Sequence, residues 1–264
     1  MGVFIMQKNT EINYTELLQE AIEKPGKLLE AYRAFYNYSL GNRILAMSQC
    51  IAKGIKISPL ATFNQWKEKG RYVIKGSKAI TLCIPTAKKY TKISKETGEE
   101  EIIKYQSFTY QNHWFTLSQT EGKEFNFDDI NISWNKDKAL QVLNIKEIPF
   151  ETLNGNCQGF ATINNEIAIN PLAQLPFKTL FHELAHIILG HTNIQILADN
   201  KDLTRNIIEV EAEATALLCL ESLGFEGSEY CRGYIQSWLR NDKLTDKNAQ
   251  RIISTADKIL KAGA

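Results

Sequence analysis

Residues 181–191 read FHELAHIILGH, and this stretch decides how the C-terminal half of the chain is interpreted. Apolar residues recur around it with the spacing of one helix face, at positions 177, 180, 181, 184, 187 and 188. Gly190 is a residue suited to end that helix. Side chains four residues apart lie one above the other on a helix, so His182 and His186 are expected to point the same way. Glu183 projects about 100° further round the axis.

Two imidazoles on successive turns, with a carboxylate beside them, are the pattern of an HExxH zinc site. The chain has four histidines, and three of them lie within ten residues, which makes buried core histidines the weaker interpretation. We predict that His182 and His186 bind Zn²⁺ and that Glu183 is the catalytic general base. In that role it accepts a proton from zinc-activated water, which attacks a peptide bond. His191 follows the glycine and is expected to line the cleft or to cap the helix.

A zinc site that keeps a position open for water needs a third protein ligand. The candidates lie in the helical segment TRNIIEVEAEATALLCLESLG, residues 204–224. Glu209 and Glu213 are four residues apart and share a face, whereas Glu211 points nearly the opposite way. Either Glu209 binds the metal and Glu213 holds a histidine N–H, or the two exchange roles. The E-x-x-x-E spacing resembles the glutamate helix of gluzincin-type metallopeptidases, in which the first acid binds the metal, and this favours Glu209.

The bulk composition is that of a globular domain or two, with 44% hydrophobic and 23% charged residues in 264. The N-terminus lacks the apolar core of a signal peptide, and no apolar run approaches the roughly 20 residues of a membrane span. The five cysteines are scattered and form no C-x-x-C pair. Reduced thiols in the cytoplasm fit this pattern better than a disulfide framework, and no membrane partner is expected.

The N-terminal half is basic: residues 1–120 hold 17 Lys and Arg against 10 Asp and Glu. Aromatic residues interleave this block, and lysines with aromatics are the combination that grips single-stranded nucleic acid. Trp66 is either a platform for base stacking or a core residue. We expect DNA contacts from Trp66 and from six cationic residues: Arg43, Lys67, Lys69, Arg71, Lys75 and Lys78.

Three segments carry a family resemblance: SLGNRIL at 39–45, TFNQWKEKGRYVIKGSKAI at 62–80 and WFTLSQTEG at 114–122. Their features are Asn42, a T-x-x-Q-W-x-x-x-G run from Thr62 to Gly70, a K-G-x-K turn from Lys75 to Lys78, and F-x-L-S-Q-T at 115–120. Together they resemble the N-terminal domain of ArdC-type antirestriction proteins of conjugative plasmids. In that family the domain binds single-stranded DNA and precedes a zinc metallopeptidase-like domain with H-E-L-A-H.

The expected fold class is α+β, with an N-terminal DNA-binding domain of helices and an antiparallel sheet, followed by a zincin-like metallopeptidase domain. The boundary lies in the polar, acidic stretch 121–136, which gives domains 1–125 and 126–264. Two helices are expected within 13–53, the second starting at Tyr32, and GFATI-NN-EIAIN is expected to be a hairpin with its turn at Asn164–Asn165. EIAIN is expected to be the edge strand along which a peptide substrate lies.

Three functions are compatible with these features. The first is a single-stranded-DNA-binding antirestriction-type protein of a mobile element whose zinc domain cleaves an unknown protein substrate. The second is a DNA-binding protein whose zinc domain is structural and cleaves nothing. The third is a protease of a regulatory protein, since IILGH at 187–191 and the glutamate helix resemble ImmA/IrrE-type metallopeptidases.

Overall fold

The computed structural model describes residues 12–93, 100–126, 133–151, 156–193, 195, 203–238 and 243–264. The chain divides into two compact units, Met1–Ile44 with Asp129–Ala264, and Leu45–Asp128. We call the first the helical unit and the second the ribbon unit. The division at 125/126 expected from the sequence follows chain order, whereas contacts group the N-terminal helices with the C-terminal half. None of the described helices has the length and apolar character needed to cross a bilayer.

The elements follow one another as mixed helices and strands. The described helices are α1 (Tyr14–Glu23), α2 (Lys27–Ala34), α3 (Leu40–Lys53), α4 (Phe63–Glu68), α5 (Lys136–Leu143), α6 (Pro176–Leu189), α7 (Arg205–Leu223), α8 (Ser228–Trp238) and α9 (Asp246–Gly263). The described strands are β1 (Leu60–Thr62), β2 (Arg71–Val73), β3 (Ile80–Ile93), β4 (Glu100–Thr116), β5 (Thr120–Gly122), β6 (Lys146–Glu147), β7 (Gly159–Ala161) and β8 (Glu166–Ile169). The expected α+β class is confirmed.

Helix α7 is the core of the helical unit. The Thr204 side chain caps its first turn by accepting from the Ile207 N–H at 3.2 Å, and Gly224 ends it in the left-handed conformation. Nearly every residue from 210 to 223 is buried, because α2, α6, α8 and α9 surround the helix. At the contact with α6, Ala212 of α7 forms a buried cluster with Ala185 and Leu189 of α6. Small side chains at this contact allow the two helices to approach closely.

The first helices belong to this unit because their polar groups bond to its C-terminal helix. The N–H and hydroxyl of Thr15 both donate to Asp246 Oδ1, at 3.0 and 2.9 Å. The N–H of Leu40, an otherwise unsatisfied donor at the start of α3, bonds to Asp257 Oδ1 at 2.7 Å. The N-terminal helices are thus fastened to α9 by side-chain carboxylates.

Arg43 explains why the single helix expected from Tyr32 onward is two helices in the structure. Its guanidinium donates to the carbonyls of Tyr32, Tyr36 and Tyr38 at 3.3, 2.6 and 2.7 Å, and so holds the turn between α2 and α3. It also stacks 3.8 Å over the Tyr32 ring. The residue is only 9% exposed. The expectation that Arg43 contacts DNA is therefore corrected, since its donors are used inside the fold.

The ribbon unit is built on a long hairpin. Strands β3 and β4 pair antiparallel, from Ile80 opposite Trp114 to Ile93 opposite Glu100. Strand β1 pairs with the other side of β4, which gives the order β1-β4-β3. The predicted hairpin tip, residues 94–99, lies outside the described residues. Trp66 of α4 is 1% exposed, and its indole N–H donates to the Phe115 carbonyl at 2.8 Å. Trp66 is a core residue, which corrects the expectation that it stacks on bases.

A small sheet in the helical unit has the order β6-β8-β7. The predicted hairpin is present as β7 and β8, with Asn165 in the left-handed conformation at φ 57°. However, β8 lies between β6 and β7, so it is not the edge strand that the sequence suggested. The edge next to α6 is β7, where a Cβ on Gly159 would lie 2.6 Å from Thr179 Cγ2. Only glycine permits this close approach of strand and helix.

Replacing Arg43 by lysine tests its structural role. Lysine keeps the charge but lacks the planar fork that reaches three carbonyls, so at least one acceptor loses its partner in a buried place. We expect the free energy of unfolding in urea to fall by about 2–4 kcal/mol. The matched control is Arg33→Lys on the exposed face of α2, which is expected to change stability by less than about 0.5 kcal/mol. Equal, small effects of both substitutions would contradict this role.

Candidate functional site

The two histidines of HELAH face each other on α6, as their spacing predicts. Pro176 begins the helix and Gly190, at φ 80°, ends it. His182 Nε2 and His186 Nε2 are 3.0 Å apart. Burial, together with His182 and His191, lowers the pKa of His186 to about 3, so its ring is neutral. Two imidazole nitrogens at this distance share either a proton or a metal ion, and the neutral ring is the form that binds metal.

Glu209 of α7 completes a set of three donors. Its Oε2 lies 3.6 Å from His182 Nε2 and 4.0 Å from His186 Nε2. Bonds of about 2.0–2.1 Å in tetrahedral geometry place ligand atoms roughly 3.3 Å apart, so small side-chain rotations suffice to hold one ion. Within the described residues, these three are the group with metal-ligand geometry. The chemistry and spacing of the donors therefore fit a metal ion.

Glu213 lies on the other side of the His182 ring. Its Oε1 is 3.3 Å from His182 Nδ1, a contact not aligned as a hydrogen bond, and 2.9 Å from Lys178 Nζ. Burial raises the pKa of Glu213, but the contacts with His182 and Lys178 outweigh it and lower that pKa to about 2. The carboxylate is thus ionised and directed at Nδ1 rather than at the Nε2 atoms. Of the two assignments left open by the sequence, this geometry matches Glu209 as the ligand.

His191 takes the second of its two expected places, at the end of α6, whereas the sequence indicated no role for Glu211. The His191 N–H returns to the His186 carbonyl at 2.8 Å, which folds the residue back over the end of α6. Its ring contacts His186 and, at 2.9 Å, the fully buried Glu211. His191 thus caps the end of α6, next to the candidate metal site, and is not among the residues that line the cleft. Because a residue following a helix-ending glycine often folds back in this way, Gly190 was a usable signal for His191; nothing comparable indicated Glu211.

An open cleft of about 710 Å³ gives access to the donors. His182, Glu183 and Glu209 line it, together with Tyr230 and the start of β7 at Gly159. Glu183 is 8% exposed, and burial raises its pKa above the ordinary value of a glutamate. The predicted general base therefore lines the same cleft as two of the predicted ligands, His182 and Glu209. The cleft has room for a chain segment and not only for an ion.

The basic residues of the ribbon unit that were predicted to contact DNA are of two kinds: some side chains are exposed, and one bonds to groups of the fold itself. Lys67, Lys69, Lys75 and Lys78 are exposed. Arg71 is only partly exposed, because its guanidinium bonds to the Thr120 hydroxyl and carbonyl, both at 2.8 Å, and to the Lys123 carbonyl. Arg71 thus supports the segment instead of presenting its charge, which argues against the expected phosphate contact.

Backbone and side-chain hydrogen bonds fix the conformation of residues 67–78, which we call the lysine-bearing segment. The Ser77 N–H bonds to the Ile74 carbonyl at 3.1 Å, and Gly76 has φ 91°, so the K-G-x-K sequence is a turn as predicted. Gln119 accepts from the Ile74 N–H through its backbone carbonyl and donates to the Lys78 carbonyl through its side chain, each at 2.9 Å. Tyr72, on β2 beside these lysines in sequence, is 55% exposed. Tyr72, not Trp66, is the aromatic ring available for stacking in this segment.

The fold and the donor set define an α+β protein with an HExxH-type candidate metal site and a separate basic unit. Residues 14–124 match the family model for the N-terminal domain of anti-restriction factor ArdC. This match extends from α1 of the helical unit through most of the ribbon unit. A comparison with curated proteins gives no match.

Two solved structures of the antirestriction ArdC protein from the R388 plasmid share this fold at a TM-score of 0.54 and 20% identity. The metal-free structure covers 94% of this chain and 94% of its own, and the Mn(II)-bound structure 95% and 98%. The resemblance read from the sequence is therefore confirmed for residues 14–124, which match the ArdC N-terminal domain, and the fold of the chain is similar to that of the R388 ArdC protein.

Replacement of the candidate ligands separates the two glutamates. A metal ion that binds only the folded protein stabilises it by about 2.7 kcal/mol at 100 times its Kd. We expect Zn²⁺ or Mn²⁺ to raise the melting temperature of the wild type and of the exposed control Glu226→Gln. Glu209→Gln is expected to remove this rise, and Glu213→Gln to reduce it. A rise that survives in Glu209→Gln but is lost in Glu213→Gln would reverse the assignment.

Proposed function

We propose that this chain is an antirestriction protein that binds single-stranded DNA with its ribbon unit and hydrolyses peptide bonds at a zinc site in its helical unit. The observation that carries the proposal is the convergence of the donor atoms of His182, His186 and Glu209, beside a cleft that His182, Glu209 and Glu183 line. The solved relative with Mn(II) supports a metal at this fold. Two imidazoles and one carboxylate are donors that suit Zn²⁺, which leads us to propose zinc as the resident ion.

The roles of the cleft residues follow from their chemistry. A zinc ion bound by the three donors supplies Lewis-acid polarisation of water and of a peptide carbonyl. The carboxylate of Glu183 accepts a proton from the attacking water and passes it to the departing amine nitrogen. Glu213, which is paired with Lys178, contacts Nδ1 of the His182 ring, and both residues also line the cleft. The side chain of Tyr230, at the cleft wall, is placed to donate a hydrogen bond to substrate.

An extended peptide is the substrate shape that the cleft favours. The start of β7 borders the cleft, and β7 is the outer strand of the described small sheet. An outer strand offers main-chain groups to an added strand, and such pairing binds a peptide without regard to most of its side chains. We therefore propose β7, in place of β8, as the strand along which a protein substrate is laid.

DNA binding is assigned to the exposed face of the lysine-bearing segment. Lys67, Lys69, Lys75 and Lys78 provide phosphate contacts, and the ring of Tyr72 provides a surface for base stacking. The turn at Gly76 and the bonds to Gln119 fix the backbone that presents them. Arg43 and Trp66 are left out of this surface because both are buried.

Proteolysis is tested by Glu183→Gln. Wild type and variant are loaded with zinc to equal content and incubated with a proteome-derived peptide library, and the products are read by mass spectrometry. We expect cleavage by the wild type, cleavage by the control Glu229→Gln on exposed α8 surface, and loss of about 10²–10⁴-fold of the rate in Glu183→Gln. If zinc-loaded wild type cleaves no peptide, the proposed proteolysis is wrong and the metal domain has a structural role.

DNA binding is tested by its salt dependence. For single strands, log K falls with log salt with a slope of about 0.7 for each neutralised phosphate. We expect each of Lys67→Ala, Lys69→Ala, Lys75→Ala and Lys78→Ala to reduce the slope by about 0.7, and Tyr72→Ala to weaken binding by about 5- to 100-fold. Lys247→Ala, an exposed lysine of α9, is the control. Unchanged slopes in all four lysine variants would remove this surface from the proposal.

A further inference from the structure

A buried line of polar side chains continues from the candidate metal site into the helical unit. His186 Nδ1 lies 3.1 Å from His191 Nδ1, and His191 Nε2 lies 2.9 Å from Glu211 Oε2. The side chain of His191 is 1% exposed and that of Glu211 is not exposed at all. The described cleft lining does not include either residue. These groups therefore cannot touch a substrate, and their effect must pass through His186.

The order of donors along this line follows from Glu211. The Glu211 carboxylate faces donors, because Asn248 Nδ2 donates to Oε1 and the Arg251 guanidinium faces Oε2. With the carboxylate as acceptor, His191 Nε2 carries the proton of its 2.9 Å contact with Oε2. A neutral His191 then has a lone pair on Nδ1, which accepts from the N–H at His186 Nδ1. That leaves the lone pair of His186 on Nε2, the atom that faces His182 and Glu209. The one carboxylate thus selects the tautomer of His186 that is able to bind metal.

Glu211 itself is fixed by the C-terminal helix. Asn248 Nδ2 donates to Glu211 Oε1 at 2.9 Å, and Arg251 Nη2 lies 3.5 Å from Glu211 Oε2. The same Arg251 nitrogen donates to the Leu189 carbonyl at the end of α6, at 2.8 Å. Burying a carboxylate carries a desolvation penalty that a well-packed apolar residue would not incur. A role in the site accounts for this cost.

We propose that His191 and Glu211, held by Asn248 and Arg251, are positioning residues that set the affinity of the site for its metal. The proposal rests on the proposed function, because it assumes that His186 binds the ion. It adds to that function a carboxylate and a histidine that lie outside the HExxH sequence and that belong to α7 and to the turn after α6. Removal of such indirect partners typically weakens metal binding by about 10- to 100-fold.

The tautomers can be observed directly in the wild-type protein. The chain has four histidines, so a long-range ¹H–¹⁵N correlation spectrum of the imidazoles is sparse enough to assign with single histidine variants. We expect His191 as the Nε2–H tautomer and His186 with its proton on Nδ1. Finding the proton of His191 on Nδ1 would overturn the proposal, whatever the metal affinity.

Zinc affinity, measured by competition with a chelating dye, gives the second test. We expect Glu211→Gln and His191→Phe to bind Zn²⁺ about 10- to 100-fold more weakly than the wild type. His191→Gln keeps an acceptor toward His186 and a donor toward Glu211, and so is expected to retain more affinity than His191→Phe. The control is Glu221→Gln, which removes another buried carboxylate of α7, one that pairs with Arg232, and is expected to leave affinity unchanged.

The outcomes separate this proposal from the function on which it rests. Wild type that binds no zinc would refute the proposed metal site. Wild type that binds zinc, with Glu211→Gln and His191→Phe no weaker than Glu221→Gln, would refute the positioning role alone. Thermal unfolding of each variant shows whether it is folded, and the tautomers of the wild type decide the question if a variant does not fold.

Discussion

The close packing of α6 against α7 is the constraint on which the candidate site depends. His182 and His186 come from one helix and Glu209 from the other, and these described donors meet where Ala185 and Ala212 belong to the buried cluster between the two helices. The same contact brings Glu213 to the back of His182, and Glu211 to His191. Three glutamates of one helix thus contact three histidines: Glu209 faces His182 and His186, Glu213 faces His182, and Glu211 bonds to His191. A larger residue at Ala212 would separate all of these contacts at once.

The periodicity of the sequence was sufficient for the elements that carry the donors. The spacing of apolar residues predicted α6, and Gly190 predicted where it ends. The four-residue spacing of His182 and His186 predicted that their side chains point in the same direction. The spacing of Glu209 and Glu213 gave a shared face but not which of them faces the Nε2 atoms, because that depends on the rotation of α7 against α6. Strand order was also beyond the sequence: β8 is flanked by the two-residue strand β6, too short to leave a pattern.

Charged residues were predicted less well, because charge alone does not indicate whether a side chain reaches water. Arg43 stands in a basic block, yet its guanidinium closes the turn after α2. Glu211 was expected only to point away from Glu209 and Glu213, whereas in the structure it lies in the core and bonds to His191. In both cases the partners are distant in sequence or are backbone carbonyls, so no local pattern records them. Burial of a charge requires such partners, and only the fold supplies them.

Most residues in the sequence segments that carry the ArdC resemblance have structural roles in the ribbon unit. Gln65 Oε1 accepts from the Thr62 N–H at 2.9 Å, and Gln119 Oε1 from the Thr116 N–H at 3.0 Å, so T-x-x-Q is a helix-start motif used twice. Trp66 fills the core between them. The family is thus recognised by its scaffold, whereas the lysines and Tyr72 lie on the exposed face of that scaffold. This explains how the resemblance was correct while its most prominent residue, Trp66, was misassigned to DNA.

Anomalous diffraction at the zinc absorption edge, from crystals of the zinc-loaded protein, tests the central claim most directly. The account predicts one peak per chain, bonded to His182 Nε2, His186 Nε2 and a carboxylate oxygen of Glu209 at about 2.0–2.2 Å. The ring of His186 should at the same time keep its contact with His191. A fully loaded crystal with no peak between α6 and α7, or with the ion held by Glu213 in place of Glu209, would contradict it.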